Sequence, residues 1–297
     1  MSIATPPPGP PAPPAPPTQN PTAQNPQPHD PGTPPVRESS RVVAIVVIVV
    51  GAVILLGAIG SSILGTWAAA SVHTTSRAVE VTGVTELDVQ VDAGDMRVEF
   101  ADIDEAELEV RSAWGIDRWR LERDGGELAV ASPDGWFNGW FGGWLGGNGN
   151  AVLRLPQSLE GMDADLGLAA GDLTVDGTFG ELDLQVDAGR AEISGAADSV
   201  EARLSAGSAE LELDDVGEAA VTVNAGSLEA AFSGRAPDEL VAEVNAGSLR
   251  LVLPDGEYDV SSEVAAGSFD NRIGSVPGAD NTIRVSVSAG EAVLRAQ

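Results

Sequence analysis

The sequence predicts an all-β chain: a β-solenoid, a β-helix-like stack of repeats about 20 residues long, preceded by one transmembrane helix and a disordered proline-rich tail. Three observations predict it. Fifteen of the 20 prolines fall within residues 1–35. No polar side chain interrupts the run from Val42 to Gly60. Thereafter the dipeptide Ala-Gly recurs eight times, flanked each time by alternating apolar and polar residues.

Residues 1–41 form the first segment. Proline has no N–H to give a helix or a sheet, and runs such as Pro6-Pro7-Pro8 and Pro13-Pro14 leave almost nothing apolar to bury. The segment reads as a disordered cytoplasmic tether; the alternative is a ligand for a proline-recognising domain.

Residues 42–67 read as the transmembrane helix. As a helix the run spans ~39 Å at 1.5 Å per residue, more than the ~30 Å that the hydrocarbon layer requires. Trp67 suits the interface, and Arg37 and Arg41 precede the span while only Arg77 follows closely. The positive-inside rule then puts the N-terminus in the cytoplasm and the C-terminal domain outside a cell membrane crossed once. A signal sequence cut near Ala68-Ala69-Ala70 fits less well, because the preceding tail is not a short basic leader. Gly57, Ser61 and Gly65 lie four apart and would offer a small-residue face for self-association. Residues 68–80 read as a linker.

Residues 81–297 carry the repeat. Its corner glycines are Gly94, Gly171, Gly189, Gly207, Gly226, Gly247, Gly267 and Gly290, and from Gly171 the spacings are 18, 18, 19, 21, 20 and 23. A near-constant period means stacked units of one type. Within a unit the period is two: Leu182, Leu184 and Val186 point one way, Asp183, Gln185 and Asp187 the other. Glycine accepts the dihedrals of a corner, and alanine fits a tight interior. Ser208, Ser227, Ser248 and Ser268 each follow a corner glycine and would hydrogen-bond along the stack. A flattened sandwich of the same repeats is the fallback.

Between Gly94 and Gly171 the period lapses. Arg118 to Glu122 and Glu127 to Ala131 flank Asp124-Gly125-Gly126 and read as a hairpin. A Trp/Gly-rich insert, 134–150, follows, with Trp136, Phe137, Trp140, Phe141 and Trp144. Exposed aromatic clusters mark interfaces, so these five are the candidate binding residues; the alternative is a flap that covers the stack.

Composition excludes several functions. A net charge of −29 argues against nucleic acid and against basic docking on anionic lipid. Without cysteine there are no disulfides or thiolate sites, and the two histidines, His29 and His73, lie outside the repeats. No cofactor, metal site or catalytic residue is expected. Asp214 and Asp215 are adjacent, but strand neighbours point to opposite faces and make a poor acid–base pair. The glycine-aspartate nonapeptide of calcium β-rolls is absent.

The hairpin, then Leu153-Arg154-Leu155-Pro156, then the ladder from Leu173 to Gly177 and Leu182 to Gly195, together resemble a bacterial β-strand-repeat family of unknown function labelled "putative adhesin". The resemblance covers about residues 80–297. It implies an envelope-associated repeat domain and supplies no catalytic residues. Many copies here read Ala-Gly-Ser where the family favours Ser-Gly-Asp-like phrases, and the insert is extra. The functional expectation is a membrane-anchored cell-envelope protein whose outer domain is a non-enzymatic, adhesin-like module, with a cell-wall polymer or an envelope protein as partner. The alternatives are an envelope-stress sensor and, further off, a carbohydrate-active enzyme.

Overall fold

The computed structural model describes residues 73–112, 119–132 and 150–297. The tail 1–41, the run 42–67 and, save Asn150, the insert 134–150 lie outside the described residues.

Alternating apolar and polar side chains draw the described chain into sixteen strands. The first eight are β1 (His73–Glu80), β2 (Glu86–Val91), β3 (Gly94–Ala101), β4 (Glu105–Ser112), β5 (Arg120–Asp124), β6 (Glu127–Ala131), β7 (Asn150–Pro156) and β8 (Met162–Leu168). Then come β9 (Gly171–Val186), β10 (Gly189–Leu204), β11 (Gly207–Asp214), β12 (Glu218–Val223), β13 (Ser227–Ser233), β14 (Glu239–Leu253), β15 (Tyr258–Asn271) and β16 (Asn281–Ala296). All join one sheet, whose main path runs β1-β4-β7-β3-β9-β10-β11-β13-β14-β16-β15. Pairing is antiparallel for β1–β4, β4–β7 and the β5–β6 hairpin, and parallel elsewhere. The hairpin turns at Gly125-Gly126, with Asp124 opposite Glu127.

This corrects the expected fold class. In place of a β-solenoid behind a transmembrane helix, the strands form a single sheet in which β10, β11, β13, β14 and β12 close into a five-stranded parallel barrel. The cause is strand length. β10 runs on through Gly195, so its first half pairs with β11 and its second half with β12. β14 likewise serves β12 and then β13. Repeat spacing reports that strands stack in register; it carries no information about how the sheet closes. Nor is the helix supported. Among the described residues the only helical turn is Gln157–Leu159, and no helix is long and apolar enough to cross a membrane.

The apolar positions face one continuous core. Leu182, Leu184 and Val186 are buried, as are Ile193, Leu204, Leu211, Val223, Phe232, Val244 and Leu251. Phe100 meets Phe179 edge-on, with ring centres 5.9 Å apart at 63°. The eight corner glycines form a column in which each is registered against the next. All have positive φ, and a Cβ on Gly171 or any later member would strike the backbone oxygen of its neighbour.

Chain order and spatial order part at the C-terminal end. β16 follows β15 in sequence but lies between β14 and β15. Gly290 therefore sits between Gly247 and Gly267 in the column, and β15 forms an edge of the sheet.

A candidate binding groove on the outer face

Polar side chains of the same strands point outward, and parallel in-register pairing stacks identical positions at ~4.8 Å. One residue past the corner glycine, a column runs Asp172, Arg190, Ser208, Ser227, Ser248, Glu291. Three residues past it, a second column runs Thr174, Glu192, Glu210, Glu229, Arg250, Val293. From Arg190 and Glu192 onward, the two columns line a groove of about 210 Å³ across β10, β11, β13, β14 and β16.

Its polar groups are unevenly satisfied. Arg250 donates to Glu229 at 3.1 Å. Among the described residues Glu192, Glu210, Ser208, Ser227 and Ser248 have no side-chain hydrogen-bond partner. The serines do not bond along the stack as expected, and Ser268 is set apart from the other three by Glu291 of β16. The groove thus presents hydroxyl donors beside carboxylate acceptors, at strand spacing, with Arg190 on β10 at one end and Arg250 on β14 next to the β16 end. A chain of hydroxyl groups could satisfy both columns at once.

The arrangement suits holding a ligand rather than cleaving it. A hydrolytic acid and base must flank the scissile bond, whereas Glu192, Glu210 and Glu229 project side by side from one wall. Among the described residues no group of three or more metal-ligating side chains converges.

No protein-family model and no curated protein matches the chain. Among solved structures it is similar to a "putative cell adhesion protein" from Clostridium sporogenes, at 11% identity and a TM-score of 0.30, over 76% of this chain and 100% of that one. It is similar to a "putative adhesin" from Bacteroides fragilis, at 12% identity and a TM-score of 0.40, over 75% of this chain and 97% of that one. A "Putative lipid binding protein" from Parabacteroides distasonis matches at 13% identity and a TM-score of 0.27, over 74% and 96%. One of these carries the adhesin name that the sequence resemblance anticipates, and one is named a cell adhesion protein. At such identities and TM-scores they bear on neither ligand nor role.

A second acidic column lies on the other arm of the strands: Asp88, Asp165, Asp183, Glu201. Arg203 pairs with Asp183 at 3.4 Å and also with Glu201. Among the described residues Asp165 has no such relief. Desolvation, then the charges of Asp183, Asp88 and Glu86, push its carboxyl above the usual range. Elsewhere Arg154 bridges Glu99 at 2.9 Å and Glu109 at 3.4 Å, tying β3, β4 and β7 together.

The sequence-predicted contact residues Trp136, Phe137, Trp140, Phe141 and Trp144 lie outside the described residues, as do Gly57, Ser61 and Gly65. The groove went unnoticed in the sequence, although a signal exists. Glutamate stands three residues after each of the corner glycines Gly189, Gly207 and Gly226.

Proposed function

We propose that this is a cell-envelope interaction protein that binds a hydroxyl-rich polymer, of the cell-wall glycan class, without turning it over. It is held at the membrane through the apolar run 42–67, with residues 1–41 in the cytoplasm and the strand-rich part outside. The observation that carries the reading is the pair of outward columns, serine beside glutamate, with protein partners absent among the described residues. Carboxylates stacked at strand spacing repel one another, so their retention costs stability that a ligand donating hydroxyls would offset. Trp136, Trp140 and Trp144 belong to the same proposal, as rings able to stack on sugar faces.

The test uses the full chain in detergent, spun with purified cell-wall polymer and, separately, with liposomes. Pelleting with the polymer is expected. Glu192→Gln with Glu210→Gln should weaken it while the melting temperature holds or rises. Trp136→Ala, Trp140→Ala and Trp144→Ala together should weaken it independently. Pelleting with liposomes alone would sink the polymer reading. Topology is tested separately, since the chain has no cysteine. A membrane-impermeant maleimide should label Thr82→Cys, an exposed position, on intact cells and leave Ser39→Cys unlabelled; the reverse pattern would sink the orientation.

A further inference from the structure

β15 ends the sheet with one long side unpaired among the described residues, where its only strand partner is β16. The connection from Arg272 to Asp280 folds back over the beginning of that side. Val276 N–H donates to the Tyr258 carbonyl at 2.8 Å, Val260 N–H donates to Ser275 Oγ at 3.0 Å, and Gly278 N–H donates to Asp259 Oδ2 at 2.9 Å. Beyond this cover every residue from Ser261 to Ser268 is exposed. Val264 is 43% exposed, although its registered neighbour Val287 is 1% exposed. The core column is left open there. Along this open stretch the usual edge protections are sparse. Ser261–Ser268 contains no lysine, no proline and one charge, Glu263.

We propose that this edge joins a second copy of the chain, with Ser261–Asp270 pairing antiparallel to the same stretch about a twofold axis through the corner. The corner makes the arrangement possible. A twofold along its bisector lays the arm before Gly267 over the partner's arm after it and keeps inward faces inward. Matching those faces restricts the register. One register puts Ser262 opposite Phe269, Val264 opposite Gly267 and Ala265 opposite Ala266. The same register sets Glu263 opposite Ser268 and Asp270 opposite Ser261, so no acid meets an acid. A two-residue shift one way opposes Glu263 to Asp270, and a shift the other way opposes Asp259 to Asp270; both cost like-charge repulsion. The small residues at the centre let the backbones approach, and the loop over Tyr258–Val260 stops short of the paired stretch.

The contact rests on backbone pairing and apolar cover, between two chains that each carry −29. Salt should therefore strengthen it by screening the net repulsion. An acidic edge capturing a basic strand would weaken with salt.

The experiment uses the full cysteine-free chain in detergent with a short thiol–thiol cross-linker. Glu263→Cys and Ser268→Cys are prepared as separate variants. Cross-linked dimer is expected when the two are mixed, with little from either alone, and the yield should grow with salt. Adding Val264→Lys to both should abolish it while the melting temperature holds. Cross-linking by Glu263→Cys alone, a yield that falls with salt, or no cross-link under any mixing would each overturn the proposal.

Discussion

The corner glycines set the tightest constraint at the scale of single residues. At Gly207 the backbone has a φ of 110°, and a Cβ would collide with the carbonyl oxygen of Gly189. Positive φ alone costs an L-residue ~1–3 kcal/mol, and the collision adds to it. Gly207→Ala should therefore lower the melting temperature by roughly 5–10 °C for a domain of this size; a loss within error would show that the column is not held in register. Asp165 gives a subtler case. Its folded pKa is raised above that of an ordinary aspartate, so the ionised form opposes folding at neutral pH. That cost disappears as pH falls through the raised folded value and is fully gone below the unfolded one. Asp165→Asn should melt higher than the parent at pH 7, by ~1–3 °C if relieving a stacked like-charge pair is worth a few tenths to 1 kcal/mol. The gap should close on acidification. A gap that widens instead would mean that Asp165 makes a favourable contact as a carboxylate.

At the scale of elements, much was legible. Period-two alternation and the Ala-Gly corners mark out β9, β10, β11 and β13, because a strand half-buried on one face must write its burial into every second residue. The hairpin of β5 and β6 was legible from its Gly-Gly turn. The insertion of β16 between β14 and β15 was not. The repeats around Gly267 and Gly290 carry the same pattern, and a pattern shared by two strands cannot say which lies inside. The one trace is connection length: Ser205-Ala206 suffices between β10 and β11, whereas nine residues from Arg272 to Asp280 carry the chain past a strand. The groove was half-legible. The serines stood out by following the corner, but the glutamates matter only once strand register stacks them. Because β16 bridges β14 and β15, deleting residues 281–297 should release β15 altogether. Limited proteolysis should then cut between Leu253 and Asn271 in the truncated chain and spare it in the full one. Equal resistance in both would mean that β15 has a second way to pair.

At the scale of the whole molecule, parallel in-register pairing turns an acidic composition into columns. With 45 acids against 16 arginines, no register could give every carboxylate a cation. The arginines are placed where they relieve most: Arg203 beside Asp183 and Glu201, Arg250 beside Glu229, Arg154 between Glu99 and Glu109. What remains unpaired among the described residues, including Glu192, Glu210 and Asp165, repels its column neighbours and adds to the self-repulsion of a strongly charged fold. The melting temperature should consequently rise with salt, most steeply as the screening length shrinks below the width of a column, ~10 Å at 0.1 M. Screening and site binding make different demands on the ion. Among the described residues no cluster of three or more ligating side chains converges, so magnesium chloride should raise the melting temperature no more than sodium chloride at equal ionic strength. A saturable magnesium effect well above the sodium curve would instead assign the acidic columns a divalent ion, and Glu192→Gln or Asp165→Asn, whichever abolished it, would say which column holds it.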